Sequence, residues 1–349
     1  MRVGERNPAQ RDNGAISDNH ACRREFLIET PFFENLAKET GLSLSVNFNP
    51  MDVVNVKPED ALRLLRSGTF DVMSVQIGQA SRDDPFFEGV DLAGVSTNFP
   101  DLKAAIDAYR TVFDERLQRR FNAKVLTLWP FGPQVFYCNK PVASVDDFKG
   151  LKIRSFTPTM SGLLQKLGAT PVTLSFTEVY SALGNKLVDC GVTSPNSGNT
   201  GKWPEVTTHY VPLAVNGSVQ GHFINLAYWN KFTPADQAKL LAAFKKLEDA
   251  MWNYAVTGTD DSQSCNTGGE CKNGQKFNMT LVKPSKEDAA KLAAAAARCP
   301  SGGMLATRST RPARRPGTRR SVPRAESRLS DPSGRASGFA CLAPRKAAR

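Results

Sequence analysis

Along residues 26–297 apolar positions recur at two periods that take turns, and the alternation reads as strand, helix, strand, helix. Residues 57–68 predict a helix, with Pro58 in its first turn, Glu59 and Asp60 at its positive end and Gly68 just beyond its last turn. A strand over 70–75 follows. Asp101 then caps a long helix whose Leu102, Ile106, Tyr109, Phe113, Leu117 and Phe121 share one face. Residues 124–129 and 134–138 read as strands on either side of a turn at 130–133, and residues 151–155 as another. Thr157 and Pro158 open a helix that buries Met160, Leu163, Leu164 and Leu167 and stops at Gly168. After a strand at 171–174, Ser175 and Glu178 stand at capping-box spacing and begin the next helix. A strand at 187–193 completes the series. Strands joined by single helices and short loops imply βαβ units and a parallel sheet. Two further strands, 210–215 and 222–228, precede a helix that Thr233 and Pro234 start. Its apolar stripe is Leu240, Leu241, Phe244, Leu247 and Met251, and at about 1.5 Å per residue its more than twenty residues reach over about 30 Å, enough to lie across two domains.

Composition changes this picture at the two ends. Of the net charge of +11, the stretch 299–349 carries +10, twelve basic residues against Glu326 and Asp331. The body is therefore near neutral. It shows no run of Lys and Arg interleaved with aromatics, so nucleic acid is not an expected partner. The tail is rich in Arg, Ser, Pro, Gly and Ala, and has too few large apolar residues to offset the entropy of ordering. It is expected to be disordered, suiting a basic arm or, better, out-of-frame translation of GC-rich DNA. Residues 1–25 are polar and aperiodic. They show no basic start followed by an apolar run, so no export signal is visible there. No stretch approaches eighteen consecutive apolar residues.

Candidate chemistry is sparse. The histidines are His20, His209 and His222, too few and too scattered for a multi-His metal site. No P-loop, G-x-G-x-x-G or G-x-S-x-G occurs, and no cofactor is expected. A catalytic Cys190–His222 dyad is conceivable, but Cys190 lies on a predicted buried strand and reads better as a small apolar filler. Asp189 beside it reads as a strand-end carboxylate capping backbone amides. Among seven cysteines no C-x-x-C occurs. Cys265 and Cys271 flank a Gly-rich loop, where a small disulfide and two unpaired thiols are both open. An enzyme is therefore not the expectation. A binding role needs only one strong charge contact and a cleft.

Arg154 fits that contact. In the run LKIRS, alternation puts Leu151 and Ile153 on one face and Lys152 and Arg154 on the other. Arg154 stands near the C-terminal end of its strand, where open α/β sheets place ligands, and its planar fork matches a carboxylate.

The run DFKGLKIRS, then LLQKLGATPVTLSFTEVYSAL, then LVDCGVTSP, in that order within residues 147–195, resembles the DctP-type substrate-binding subunit of TRAP transporters. The similarity extends more weakly from about residue 30 to about residue 297. The resemblance implies an α/β, two-domain periplasmic binding protein of type II with a long helix across both lobes. It implies a first lobe of 26–124 and 212–255 and a second lobe of 125–211 and 256–297, flanked by the atypical, disordered 1–25 and by the tail 298–349. It implies capture of a small organic acid in the interlobe cleft, delivery to the membrane subunits of a TRAP permease without turnover, and a periplasmic location. Arg154 takes the place of the family arginine that pairs the ligand carboxylate. Ser194 stands where the family more often has Asn, and Thr193 or Asn196 is an alternative donor. Gln134 stands where some members carry a second Arg, so one carboxylate on a neutral, aromatic or branched remainder suits the site better than a polyanion. Trp129, Phe176 and Trp203 are candidate walls. Gln79 or its neighbours, and Gln220, are candidates from the first domain. An ABC-type receptor, and a damaged copy that is not exported, are the competing readings.

Overall fold

The computed structural model describes residues 15–17, 23–51 and 53–297. Its first lobe contains β1 (Ala15–Ser17), α1 (Arg23–Thr40) and β2 (Phe48–Pro50). Next come α2 (Ala61–Ser67), β3 (Val72–Gln76), the short α3 (Ile77–Ala80), α4 (Phe99–Phe121) and β4 (Ala123–Pro130). The chain then crosses to a second lobe of β5 (Val135–Cys138), β6 (Lys152–Ser155), α5 (Pro158–Lys166), β7 (Thr170–Thr173), α6 (Phe176–Gly184), β8 (Cys190–Thr193), α7 (Pro195–Thr200) and β9 (His209–Val211). It returns for β10 (Val219–Asn225) and α8 (Leu226–Trp229), then runs through α9 (Pro234–Asn266) to β11 (Thr280–Leu281) and α10 (Lys286–Ala297) in the second lobe.

The two sheets have orders β2-β1-β3-β10-β4 and β11-β9-β5-β8-β6-β7. In the first, β10 lies antiparallel between β3 and β4. In the second, β6 runs parallel to both β7 and β8, as the βαβ spacing predicts. The local helix signals hold where they are strongest. Thr157 caps α5, accepting from the Met160 N–H, and Gly168 follows with φ of +83°. Ser175 and Glu178 form the capping box of α6. Thr233 caps α9, whose 33 residues make it about 50 Å long.

Several boundaries differ from expectation. Ala15–Ser17 is paired in parallel between β2 and β3, whereas the sequence leaves residues 1–25 disordered. The remainder of 1–22, and the tail 298–349, lie outside the described residues. The strand at 124–129 belongs to the first sheet through β10, so the crossing falls at 131–134 and not at 124/125. Asn98, not Asp101, caps α4: its side chain accepts from the Asp101 N–H, with Pro100 in the first turn. Leu241 is 39% exposed because the stripe of Leu240, Phe244, Leu247 and Met251 turns away from it.

The lobes share two crossing segments and one helix. Phe131 N–H donates to Ser218 O (2.9 Å), Gly132 N–H to Gly217 O (3.1 Å) and Gln134 N–H to Asn216 O (2.8 Å), so the crossings pair with each other. Gly132 has φ of +106°, which favours glycine, and a Cβ there would sit tightly, 3.0 Å from Thr259 Oγ1 on α9. Helix α9 packs Leu240, Phe244 and Met251 into the first-lobe core with Phe33 and Trp129. Near its far end Asn266 donates to the Tyr137 hydroxyl (2.8 Å) in the second lobe. The helix therefore braces both lobes.

Asp91 ties the first lobe to the second crossing. Its carboxylate accepts from Asn216 Nδ2 (2.8 Å), Gly217 N–H (3.0 Å) and Val219 N–H (3.1 Å). Burial pushes its pKa up to about 7, against the opposing pull of those amides. Raised above its unfolded value of about 4, this group contributes stability that is full below about pH 4 and lost as pH rises through about 7. Asp91→Asn should therefore flatten the decline between about pH 4 and about pH 7 by a few kcal/mol. Urea unfolding across that range is the measurement, and parallel pH curves for variant and wild type would contradict it.

Two disulfides lie in the second lobe. Cys138 and Cys190 face each other across antiparallel β5 and β8 and are bonded, so Cys190 is a staple and not a free filler. Cys265 and Cys271 are bonded across their Gly-rich loop, which decides the alternative left open by sequence. The larger loop, with a sequence separation of 52 against 6, should stabilise more. Replacing Cys138 and Cys190 together with Ala should cost about 4 kcal/mol, and replacing Cys265 and Cys271 with Ser about 2 kcal/mol. Chemical denaturation of the two double variants checks the ranking.

Candidate functional site

A cleft enclosing about 420 Å³, part of it open to solvent, separates the lobes. Its lining comes from strand ends and helix starts, as expected for open α/β sheets. The first lobe and crossings present Gln76, Gln79, Phe131, Gln134 and Ser218; the second lobe presents Arg154, Phe156, Phe176, Thr193 and Ser197. Among these described residues Arg154 carries the one charge.

Arg154 is an interior-strand residue, flanked by β7 and β8, and is only 2% exposed. Burying a guanidinium is costly unless its surroundings replace water. Here Nη1 donates to Val192 O (2.7 Å) on β8 and Nε to Leu174 O (3.1 Å) after β7. The group lies 4.6 Å over the Phe156 ring and 5.7 Å over the Trp203 ring, both favourable cation–π placements. These contacts hold the fork at the cleft wall. Nearby, Ser175 hydrogen bonds hold the Glu178 carboxyl below the usual range, with a smaller contribution from the charges of Lys57 and Arg154.

Phe176 begins α6, so its capping box places the ring in the cleft. Behind it Trp203 stacks at 5.3 Å and 23°. Trp203 is fully buried and does not line the cleft; it supports Phe176 from one side and Arg154 from the other. Its Nε1 finds no hydrogen-bond partner among the described residues. Close packing beneath it depends on Gly191, where a Cβ would come within 2.7 Å of the indole.

The amides and hydroxyls are partly oriented by the chain itself. Gln76 Oε1 accepts from the Gln79 N–H (2.7 Å), and its Nε2 donates to Ser218 Oγ (3.3 Å). Gln134 Nε2 donates to Gly132 O (2.9 Å) on its own crossing. Thr193 ends β8 at the cleft.

Of the residues picked from sequence, the structure brings Arg154, Thr193, Gln134, Phe176 and Gln79 together. It places four elsewhere. Ser194 caps α7, accepting from the Ser197 N–H (3.1 Å), so Ser197 takes its place on the lining. Trp129 is buried in the first-lobe core, 5.0 Å from Phe131, and Phe131 is the wall. Trp203 stands behind the wall. Gln220 Nε2 donates to Ser74 Oγ (2.9 Å), which donates to Glu29 Oε1 (2.8 Å), and Gln220 thus joins a buried first-lobe network. Asn196 also turns away, its Oδ1 accepting from Ser262 on α9 (2.5 Å).

Gln76, Phe131, Phe156, Ser197 and Ser218 were not picked from sequence. Gln76 directly follows the predicted strand at 70–75, among the neighbours of Gln79 that the sequence pointed to, a signal that was available. Ser218 was not readable, because its place depends on which crossings pair. The dyad reading is overturned: Cys190 is bonded to Cys138, and His222 sits in the first lobe between Glu29 (2.8 Å) and Thr127 (2.6 Å).

Comparison with known proteins agrees with this geometry. Residues 25–297 match the family model described as bacterial extracellular solute-binding protein, family 7, DctP. The sialic acid-binding periplasmic protein SiaP of Vibrio cholerae is 32% identical over 197 residues, 54% of this chain and 60% of that protein. The C4-dicarboxylate-binding periplasmic protein DctP of Rhodobacter capsulatus is 28% identical over 214 residues, 58% of this chain and 62% of that protein. The chain thus spans about 60% of the length of these curated relatives. The crystal structure of DctP7, a Bordetella pertussis extracytoplasmic solute receptor binding pyroglutamic acid, superposes with a TM-score of 0.75 at 20% identity, covering 86% of this chain and 95% of that one. A match of the family model over most of the chain, together with the two-lobed fold, shows that the chain belongs to the DctP family of bacterial extracellular solute-binding proteins.

Proposed function

We propose that this protein is an extracytoplasmic receptor that closes on a small monocarboxylate and hands it unchanged to the membrane subunits of a TRAP-type permease. The observation that carries this reading is Arg154, a buried guanidinium at the wall of an interlobe cleft whose other described lining residues are neutral. A carboxylate satisfies the fork at two points. The rest of the ligand meets Gln76, Gln79, Gln134, Thr193, Ser197 and Ser218, with Phe131, Phe156 and Phe176 as apolar walls. Such a lining suits a compact remainder with a flat apolar face and one or two neutral polar groups. A lactam acid fits that description, and the pyroglutamic acid bound by the Bordetella pertussis relative is the probe of choice. A second carboxylate would lose its hydration and find no second cation on the lining, so a dicarboxylate should bind less well. Two disulfides suit an oxidising compartment, consistent with the periplasmic location of the family. Among the described residues no helix is long and apolar enough to cross a membrane.

Calorimetry with pyroglutamate, aromatic and branched monocarboxylates, and succinate tests the reading. One monocarboxylate should bind, and be recovered chemically intact. Arg154→Ala should weaken it by at least about a hundredfold, since it removes one partner of a buried charge contact. Arg154→Lys should weaken it roughly tenfold, because charge survives but the two-point geometry does not. Unchanged affinity in Arg154→Ala overturns the proposal.

A further inference from the structure

Beside the cleft the lobes meet at a contact of unusual composition. Gly78, the second residue of α3 in the first lobe, faces Thr157, which caps α5 in the second. A Cβ built on Gly78 would lie 2.4 Å from Thr157 Cγ2, far inside any allowed approach. The Thr157 hydroxyl accepts from the Met160 N–H (3.2 Å), so the methyl is the part that meets Gly78. One residue into the helix, Thr159 donates its N–H (2.9 Å) and its hydroxyl (2.6 Å) to Glu88 Oε1 from the first lobe. Glu88 and Thr157 are both buried by this contact zone. Gln76 and Gln79 lie two residues before and one after Gly78, while Phe156 and Arg154 lie one and three residues before Thr157. A gap opened between 78 and 157 therefore separates the two walls of the cleft.

We propose that the first turn of α5 is the stop that ends closure of the cleft, and that the missing side chain at position 78 sets how far the lobes approach. The proposal rests on the receptor reading above, because a stop matters only if the lobes close on a ligand. Glu88 supplies the attraction at this face, and Gly78 removes the obstacle. An alanine at 78 keeps the helix but places a methyl against a methyl, and neither can move without parting α3 from α5.

The test is a cycle of Gly78→Ala, Thr157→Ser and both together. Serine keeps the capping hydroxyl and deletes Cγ2. With pyroglutamate, or whichever acid of the same panel binds the wild type, Gly78→Ala should bind roughly tenfold more weakly. Thr157→Ser alone should bind like the wild type, and the double variant should recover to within about threefold of it. Thermal unfolding without ligand should not fall in Gly78→Ala, which separates lost closure from lost folding. Small-angle scattering with and without acid should show Gly78→Ala more extended than the wild type and the double variant compact again. If the wild type binds no acid of the panel, the receptor reading fails, and scattering alone decides the stop. Undiminished affinity in Gly78→Ala, failure of Thr157→Ser to restore it, or unchanged scattering profiles overturn the proposal.

Discussion

A guanidinium taken out of water is the constraint around which the second lobe is arranged. Arg154 is 2% exposed, and an ion so placed is tolerated only where carbonyl dipoles and ring faces replace its hydration. Val192 O and Leu174 O supply the dipoles; Phe156 and Trp203 supply the rings. Each of these has its own requirement. Val192 O must come from β8, the parallel neighbour of β6, and Leu174 from the turn between β7 and α6. Trp203 fits only because Gly191 has no side chain, and it is in turn covered by Phe176. One charge at a strand end thus dictates the identity of residues up to fifty positions away.

The first lobe answers with neutral groups, and the mechanics follow from that difference. A cation at a half-open wall attracts an acid through water, where the interaction is weak. When the other wall arrives, the same pair interacts at lower dielectric and water no longer competes. On the proposed receptor reading, the acid therefore favours the closed arrangement by the difference between those two interactions. The crossings allow such a movement to be reproducible. They pair with each other at 131–134 and 215–218, are held by Asp91, and are backed by a helix anchored in both lobes.

What the chain reveals in one dimension is set by range. Caps and periodic faces are local, so α5, α6 and α9 and the candidate Arg154 were legible in a few adjacent residues. Partnership between strands is not local. Residues 124–129 and 134–138 look like a pair around a turn, yet they enter different sheets, and nothing in their alternation records that. The same blindness hid the Cys138–Cys190 bond, which exists because β5 and β8 are neighbours. It also misplaced Ser194 and Gln220. Both are polar residues near the cleft in sequence, but one is consumed by a helix cap and the other by a bond to Ser74. Aromatics near a site are equally ambiguous, and Trp129 and Trp203 proved to be the layer behind Phe131 and Phe176.

The two lobes are unequal in how firmly they are built, and the inequality bears on the order of events. The second lobe holds both described disulfides, and one of them joins β8 only two residues before Val192, the acceptor for Arg154. Its half of the cleft is thus held by covalent and close-packed contacts. The first lobe's half is Gln76 and Gln79, and the Gln76 amide is oriented by hydrogen bonds with the Gln79 N–H and with Ser218 on a crossing. Hydrogen bonds of that kind each contribute only about 1 kcal/mol and rearrange readily. On the proposed receptor reading, an acid that met the cationic wall first would gain its strongest contact at once, and the neutral wall would then select among acids by what their remaining atoms can bond. On that reading charge decides whether a molecule stays in the cleft, and the amides decide which one is kept.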